Sequence, residues 1–199
     1  MIIKSVMAGI YDANCYIVMD SKSKEAVVLD PGGDGPKLGT IIDDMGAKVK
    51  FILLTHGHVD HVGGVEYLAD KYKVPFYINK IDEELMEKDN SVYGSIRVAD
   101  GYLKDGDIFK FGDKTIKVIH TPGHTKGGVC FLIDDKCFTG DTLFQGSIGR
   151  TDFIGGDFKE IINSIKTKLL TLGDNVQVYP GHGSSSTIAF EKERNPFLE

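Results

Sequence analysis

The residues best suited to chemistry stand together directly after a short apolar run. Residues 51–54 are all apolar, and positions 56–61 then contain three histidines and one aspartate. Four apolar residues are enough for a buried strand but too few for a helix. The segment that follows is too rich in metal-ligand residue types for an ordinary loop. The pattern therefore predicts a metal site at the end of a strand, with these candidate ligands: His56, His58, Asp60 and His61.

Three further candidates occur downstream, each directly after a predicted strand and beside a glycine. His124 ends the sequence Thr-Pro-Gly-His, Asp141 ends Phe-Thr-Gly-Asp, and His182 lies within Pro-Gly-His-Gly. Scattered structural histidines would not cluster at strand ends in this way. Because strand ends meet along one edge of a sheet, where sites are commonly built, we expect these residues to converge.

The residue types indicate a pair of metal ions. Neutral imidazoles and carboxylates are ligands that zinc, iron and manganese accept. Residues two apart in an extended loop project to the same side, so His56 and His58 suit one ion, with His124 completing the set. Asp60 and His61 are offset from that pair and suit a second ion, with His182. The two carboxylate oxygens of Asp141 could join both ions, and two such ions hold and activate a bridging water.

The elements that must position these residues form two similar halves. Short strands rich in Val, Ile and Tyr are predicted at residues 2–7, 15–19 and 25–30, and again at 107–111, 115–121, 128–133 and 136–138. Helices are predicted after Pro36, from about His61 to Tyr72, at 82–88, from Phe158 to Leu170 and at 187–194. Residues 90–103 have weak periodicity and are predicted to form a loop. Strands followed by strand–helix units, twice over, predict an α/β sandwich of two sheets with helices outside.

Composition limits the possible functions. The 199 residues suit one domain, and 41% hydrophobic with 26% charged residues is typical of a soluble globular protein. A net charge of −6 argues against a nucleic-acid partner. Residues 1–20 resemble neither a signal peptide nor a membrane span, so a cytoplasmic location without a membrane partner is expected. The cysteines Cys15, Cys130 and Cys137 have no paired spacing and are expected to be reduced and buried.

The ligand pattern as a whole resembles the metallo-β-lactamase superfamily. The resemblance covers nearly the whole chain, in the right order, through His56-x-His58-x-Asp60-His61 and then the single ligands His124, Asp141 and His182. Within the superfamily, four further segments resemble the short bacterial glyoxalase II-like hydrolases: Thr-Pro-Gly-His-Thr at 121–125, Phe-Thr-Gly-Asp-Thr-Leu-Phe at 138–144, Gly-Arg-Thr-Asp-Phe at 149–153 and Asn-Pro-Phe-Leu at 195–198.

The resemblance implies a fold, a cofactor and a reaction. The fold would be one αβ/βα four-layer metallo-β-lactamase domain over residues 1–199, with all seven ligands kept. Two divalent ions would bind, with zinc the first expectation and iron or manganese also suited. A hydroxide bridging the metals would attack a thioester such as S-D-lactoylglutathione, and the thiolate would leave. Asp60 would bind the second metal and also orient the nucleophile.

Charge and neighbouring residues refine the expected substrate. Two divalent ions, two aspartates and one hydroxide leave the inner site at +1, which favours a small anionic thioester. In glyoxalase II a lysine at the place of Arg150 helps to bind glutathione, so Arg150 is a candidate for a substrate carboxylate. An internal pair with Asp152 or another acidic residue is an equal alternative. His120 lies outside the pattern and is expected to be structural, whereas Tyr11, Tyr93 and Phe144 could line the groove or pack in the core.

Other functions remain open on the sequence. A mononuclear-iron persulfide dioxygenase shares the Gly-Arg-Thr-Asp-Phe-like segment, although the complete second ligand set favours hydrolysis. Hydrolysis of another ester or a lactone is a further alternative. Members that act as β-lactamases, flavodiiron reductases or RNA-processing enzymes fit less well, and a non-catalytic binding module conflicts with the intact ligand set. In longer glyoxalase II enzymes a C-terminal helical extension supplies much of the glutathione pocket. This sequence ends at Glu199, which leaves the identity of the thiol carrier open. The sequence predicts no oligomeric state.

Overall fold

The computed structural model describes residues 1–199 and contains two six-stranded sheets. The first sheet has the order β1-β2-β3-β4-β5-β6. Its first three strands are antiparallel and its last three continue parallel to the third. Their bounds are β1 Ile2–Ala8, β2 Ala13–Met19, β3 Glu25–Leu29, β4 Lys48–Leu53, β5 Phe76–Ile78 and β6 Gly101–Tyr102.

The second sheet is built mainly from antiparallel strands. Only one neighbouring pair, the strands Lys136–Gly140 and Gln177–Pro180, runs parallel. The bounds are β7 Ile108–Phe111, β8 Lys114–His120, β9 Val129–Ile133, β10 Lys136–Gly140, β13 Gln177–Pro180 and β14 Ser186–Thr187. The strand order is β14-β13-β10-β9-β8-β7, and a separate small hairpin comprises β11 Leu143–Phe144 and β12 Ser147–Ile148.

Six helices connect or flank the strands. Their bounds are α1 Gly35–Asp44, α2 Val59–Val62, α3 Val65–Tyr72, α4 Lys80–Met86, α5 Phe158–Ser164 and α6 Ile188–Arg194. A π-helical turn, Ile165–Leu169, continues α5. None of these helices combines the length and the apolar character that crossing a bilayer requires.

The alternation of side chains along the strands explains the layering. On β2, Cys15 and Ile17 face one core and Tyr16 and Val18 face another, because successive residues of a strand point to opposite faces. The first of these cores also contains residues of α1 and α3, and the second contains strand residues of both sheets. A third core joins the outer face of the second sheet to α5, the π-turn and α6. The predicted αβ/βα four-layer sandwich is thereby confirmed.

The structure corrects the predicted helix from His61 to Tyr72. It is interrupted at Gly63 and Gly64, which separate α2 from α3. A Cβ atom on Gly63 would lie 2.7 Å from the carbonyl oxygen of Gly32, and one on Gly64 would lie 2.9 Å from that of Gly33. The close approach of these two backbone segments therefore requires glycine, and periodicity alone does not report it.

Candidate metal centre

The seven predicted ligands converge at the edge where strand ends of both sheets meet. β4 leads into the segment with His56, His58, Asp60 and His61, and the last two lie on α2. β8, β10 and β13 lead respectively into the segments with His124, Asp141 and His182. Four strand ends thus deliver seven side chains to one place. The predicted convergence is observed in the structure.

The first set of ligands consists of three buried histidines. One donor atom from each of His56, His58 and His124 lies within 4.8 Å of the other two. His124 Nε2 is 2.9 Å from His58 Nδ1. The opposite nitrogen of His124, Nδ1, is 2.8 Å from the carbonyl oxygen of Arg150, and donation to that oxygen leaves Nε2 with a free lone pair.

The second set consists of Asp60, His61 and His182. Their donor atoms also lie within 4.8 Å of one another, and His182 Nε2 is 3.1 Å from Asp60 Oδ2. His61 is fully buried, whereas the side chain of His182 is 32% exposed to solvent. This set is therefore the more open one toward solvent.

Asp141 lies between the two sets. Its Oδ2 atom is 3.7 Å from His124 Nε2 and 3.6 Å from His182 Nε2. Its Oδ1 atom is 3.3 Å from His61 Nε2. One carboxylate thus faces a histidine of the first set and two histidines of the second. A Cβ atom at residue 181 would overlap Asp141 Oδ1, so the close approach of that backbone requires glycine.

Unpartnered buried atoms show that the site fits metal ions. Four buried side-chain atoms have no hydrogen-bond partner: His56 Nε2, His58 Nε2, His61 Nε2 and Asp141 Oδ1. All four belong to the seven residues, and the structure has no other buried side-chain nitrogen or oxygen atom of this kind. Buried polar groups normally find partners, so such a concentration needs an explanation. A cation held among the histidines and the carboxylates would supply a partner for such atoms.

The electrostatics of the first ligand set and of Asp141 also match metal ligation, whereas neighbouring carboxylates, acting against burial, raise the pKa of His61 and that of His182. Burial, reinforced by neighbouring imidazoles, lowers the pKa of His58 to about 3 and lowers that of His56 well below its usual value. Both rings are therefore neutral, which is the form that binds a metal. Burial opposes ionisation of Asp141, but the histidines at positions 61, 124 and 182 outweigh it and hold its pKa below the usual range. Asp141 is accordingly a carboxylate.

Asp30 is a site residue that the sequence analysis missed. It follows β3 with φ of 48°, and its two oxygens accept hydrogen bonds from the amide and the hydroxyl of Thr55. Its Oδ2 atom is also 3.0 Å from His61 Nδ1, which directs His61 Nε2 toward Asp141. The only signal in the sequence is an aspartate at a strand end before Pro-Gly-Gly.

A cavity of about 340 Å³ opens onto the centre. Its lining includes five of the seven ligands and six other residues: Tyr11, Val59, Ser91, Val92, Arg150 and Phe153. The guanidinium of Arg150 stacks 3.7 Å from the centre of the Phe153 ring. Its Nε and Nη2 atoms donate to Asp152 at 2.7 Å each, and Nη1 has no hydrogen-bond partner. Arg150 thus forms the predicted internal pair and also lines the cavity.

The remaining predicted residues take different positions. Tyr11 lines the cavity, and Phe144 lies edge-on to His182 with ring centres 6.2 Å apart. Tyr93 is fully buried and packs edge-on against His58 at 4.7 Å. His120 lies outside the centre, with Nε2 2.9 Å from the carbonyl oxygen of Lys126. The three cysteines are buried and free, as expected.

Comparisons with known proteins agree with this description. The family sequence model described as the metallo-β-lactamase superfamily matches residues 8–182 of this chain. Hydroxyacylglutathione hydrolase GloC of Haemophilus influenzae is 39% identical, over 100% of this chain and 98% of that protein. The crystal structure of the BLEG-1 B3 metallo-β-lactamase is 37% identical with a TM-score of 0.91, over 99% of both chains. The structure of TTHA1623 in a di-iron-bound form is 34% identical with a TM-score of 0.88, over 98% of this chain and 100% of that one.

Proposed function

The chain belongs to the metallo-β-lactamase superfamily, whose members are typically metal-dependent hydrolases, and from this premise we propose that it is a binuclear thioester hydrolase. The proposed substrate is S-2-hydroxyacylglutathione, with S-D-lactoylglutathione as the first example, or a related thiol ester. The 39% identity to a hydroxyacylglutathione hydrolase over the full chain supports this choice.

The position of Asp141 is the observation that carries the proposal. Its two oxygens face histidines of both sets, as expected for a carboxylate shared by two ions. The first ion would be held by His56, His58 and His124, the second by Asp60, His61 and His182, and Asp141 would contact both. Bound divalent ions would supply Lewis acidity and a water of lowered pKa. Zinc, iron and manganese all suit these ligands, and the di-iron-bound relative supports iron as well as zinc.

The chain's own residues would position the reactants. In the proposed reaction a water oxygen adds to the thioester carbon, the C–S bond breaks, and an acid and a thiol are released. Asp60 lines the cavity and would both help to hold the second ion and accept a hydrogen bond from the attacking water. Asp30 would hold the His61 ring throughout the reaction. Productive geometry of this kind lowers the barrier without new covalent chemistry.

The cavity wall offers a binding group for one carboxylate of a substrate. The Arg150 guanidinium lies over the Phe153 ring and forms a bidentate pair with Asp152, and its Nη1 donors are free. A planar guanidinium can bind one carboxylate at each of two edges. We propose that the free edge receives a carboxylate of the substrate. The other wall residues, such as Val59 and Val92, would pack against apolar parts of it.

A thioester panel combined with metal analysis tests the function. The chain would be loaded separately with zinc, iron and manganese, and thiol release from S-D-lactoylglutathione and other thioesters would be followed. We expect two metals per chain and hydrolysis. No thiol release with any metal would refute thioester hydrolysis, and turnover of simple esters or lactones instead would redefine the substrate class. One iron per chain with oxygen uptake on glutathione persulfide would favour a dioxygenase.

A second candidate, β-lactam hydrolysis, is favoured by one observation. The BLEG-1 structure, described as a B3 metallo-β-lactamase, matches 99% of this chain at 37% identity. An amide carbonyl in a strained ring could occupy the same place as a thioester carbonyl. The test is opening of a chromogenic cephalosporin by the zinc-loaded chain. A kcat/KM for the cephalosporin above that for every thioester would make this the primary activity.

A further inference from the structure

Asp82 is a fully buried carboxylate that contacts two separate segments of the metal centre. It lies on α4, and its Oδ2 atom accepts hydrogen bonds from the amide of Gly57 at 3.0 Å and from the hydroxyl of Thr125 at 2.8 Å. Its Oδ1 atom accepts from the amide of Gly127 at 2.7 Å. No lysine, arginine or histidine forms an ion pair with it within 4 Å, so these three donors are the only groups that stabilise its charge, and burial still raises its pKa to about 6.

The donors belong to the two segments that carry the first ligand set. Gly57 stands between His56 and His58, and Thr125 directly follows His124. In the second set, His61 is held by Asp30, a carboxylate that also binds Thr55 beside His56. Asp82 therefore joins the loop after β4 to the loop after β8, where the 2.9 Å approach between His58 and His124 occurs.

We propose that Asp82 is a positioning residue that sets the first metal site, and only the first, before a metal binds. The inference depends on the metal centre of the proposed function but on none of its substrates. The two loops are far apart in sequence, and no strand pairing connects β4 to β8. Hydrogen bonds to one shared carboxylate are thus a direct means of fixing the distance between their histidines. Partners that hold metal ligands in place commonly change metal affinity 10–100-fold when they are removed.

The substitution Asp82→Asn tests this inference with little change of volume. A carboxylate only accepts hydrogen bonds, whereas an amide presents one NH₂ group. In either orientation that group would face a donor: the Gly127 amide, or the Gly57 amide together with the Thr125 hydroxyl. One loop must therefore move. We expect the first site to lose zinc affinity by about 10–100-fold.

Two variants that each lack one ligand allow the two metal sites to be measured separately. His182→Ala leaves the first ligand set complete, and His58→Ala leaves the second set complete. Zinc affinity would be measured in each background, with and without Asp82→Asn, by competition with a chromophoric chelator. In the His182→Ala background, Asp82→Asn should lower zinc affinity by the full factor of about 10–100. In the His58→Ala background it should change zinc affinity by less than about threefold. Equal weakening in both backgrounds, or no weakening, would overturn the inference.

Matched variants distinguish positioning from loss of stability. Asp20 is also a buried carboxylate that accepts two backbone amides, at Lys22 and Asp113, but it lies outside the centre. Asp20→Asn should lower stability without changing zinc affinity. Thr125→Val removes one hydrogen bond to Asp82 and should lower the zinc affinity of the first site by up to about tenfold. Thr125→Ser keeps the hydroxyl and should keep that affinity.

The Thr125 pair decides the question if Asp82→Asn does not fold. Equal zinc binding by the valine and serine variants would then overturn the inference. Because no substrate is used, a chain that hydrolyses no thioester can still support the role of Asp82. Failure of the wild-type chain to bind zinc, iron or manganese would reject both this role and the proposed function.

Discussion

At the scale of single residues, the shared position of Asp141 leads to a prediction about both metal sites. Asp141→Ala removes the two oxygens that face His124 on one side and His61 and His182 on the other. We expect metal affinity at both sites to fall more than about 100-fold and hydrolysis to be lost, because a ligand should matter at least as much as its supporting partners. Metal content after dialysis and initial rates provide the measurement.

The control for Asp141→Ala is another aspartate outside the centre. Asp105 is exposed, and its carboxylate contacts the His120 amide and Lys168 rather than any of the seven ligands, so Asp105→Ala should keep two metals and the wild-type rate. If Asp141→Ala lost one metal and kept the other at wild-type affinity, the residue would belong to one site and the shared role would be wrong.

The free edge of Arg150 leads to a second prediction at this scale. Arg150→Gln removes the guanidinium that faces the cavity, so KM for an anionic thioester should rise about tenfold while kcat changes less than about twofold, because a remote carboxylate is bound in the ground state as well. Arg97 is a close match for a control, since it also pairs with an aspartate, Asp100, and lies 4.6 Å from a ring, that of Phe76. Arg97→Gln should leave KM unchanged. An unchanged KM in Arg150→Gln would show that Arg150 pairs with Asp152 and does not bind the substrate.

At the scale of elements, the start of α5 supports the loop that carries His124. Asp157 is the N-cap of α5, and its side chain accepts from the amide of Glu160 at 2.9 Å. Its own amide donates to the carbonyl oxygen of Gly123. Asp157→Ala should lower the free energy of unfolding by about 1 kcal/mol, and Asp157→Ser should restore most of it. Chemical denaturation of the metal-free protein checks this, and a serine variant as unstable as the alanine variant would contradict the capping role.

The capping pattern shows what local sequence can and cannot predict. Asp157 with Glu160 predicts a reciprocal capping box, and half of it is present. The side chain of Glu160 instead binds Lys126 at 2.8 Å, on the loop that follows His124. The helix also changes to a π-turn after Ser164, which the apolar periodicity does not reveal. Local patterns therefore placed the helix, and contacts from distant segments decided its details.

The residues of the metal centre fall into the same two groups, those that local sequence predicts and those that only distant contacts reveal. The seven candidate ligands were predictable because each lies in a segment that directly follows a strand and five of them stand beside a glycine, and all of these signals are local. Asp30 and Asp82 were not predictable, because their bonds reach Thr55, Gly57 and Thr125, residues 25 to 43 positions away. A lone aspartate on a short helix has the same appearance in sequence whether it is exposed or buried. The short β6 and the β11–β12 hairpin escaped prediction because two residues carry no measurable period.

At the scale of the whole molecule, we propose that residues 1–199 form one cooperative domain. The core between the sheets contains residues of both, for example Val18 and Leu53 of the first sheet and Val118 and Phe131 of the second. Exposing this core would remove burial from both halves at once, so neither half should unfold alone. Far-UV circular dichroism and tyrosine fluorescence should report the same single transition in the metal-free chain. Two separated transitions would show two domains.

The side chain of Asp20 connects the two sheets and makes the stability of the fold depend on pH. It follows β2, and its carboxylate accepts from the amide of Asp113 in the turn between β7 and β8, while the neighbouring Glu25 accepts from Gly112. Backbone amides, first that of Lys22 and then that of Asp113, lower the pKa of Asp20 to about 2, from a usual value of 3.8. A carboxylate with a depressed folded pKa stabilises the fold above its unfolded pKa, and this contribution disappears as the pH falls through the folded value.

The window for this loss is therefore about pH 4 to pH 2. In the metal-free protein, the free energy of unfolding of the wild type should exceed that of Asp20→Asn at pH 6, and the difference should shrink steadily between pH 4 and pH 2. Protonated Asp20 resembles the amide, so the two curves should converge at the acid end. Asp152→Asn is a useful comparison, because its carboxylate also has a pKa lowered to about 2, through Arg150, but connects no two sheets. Since that exposed ion pair lies within one loop, its removal should change stability less. A pH-independent difference for Asp20→Asn would show that the carboxylate's charge does not hold the two sheets together.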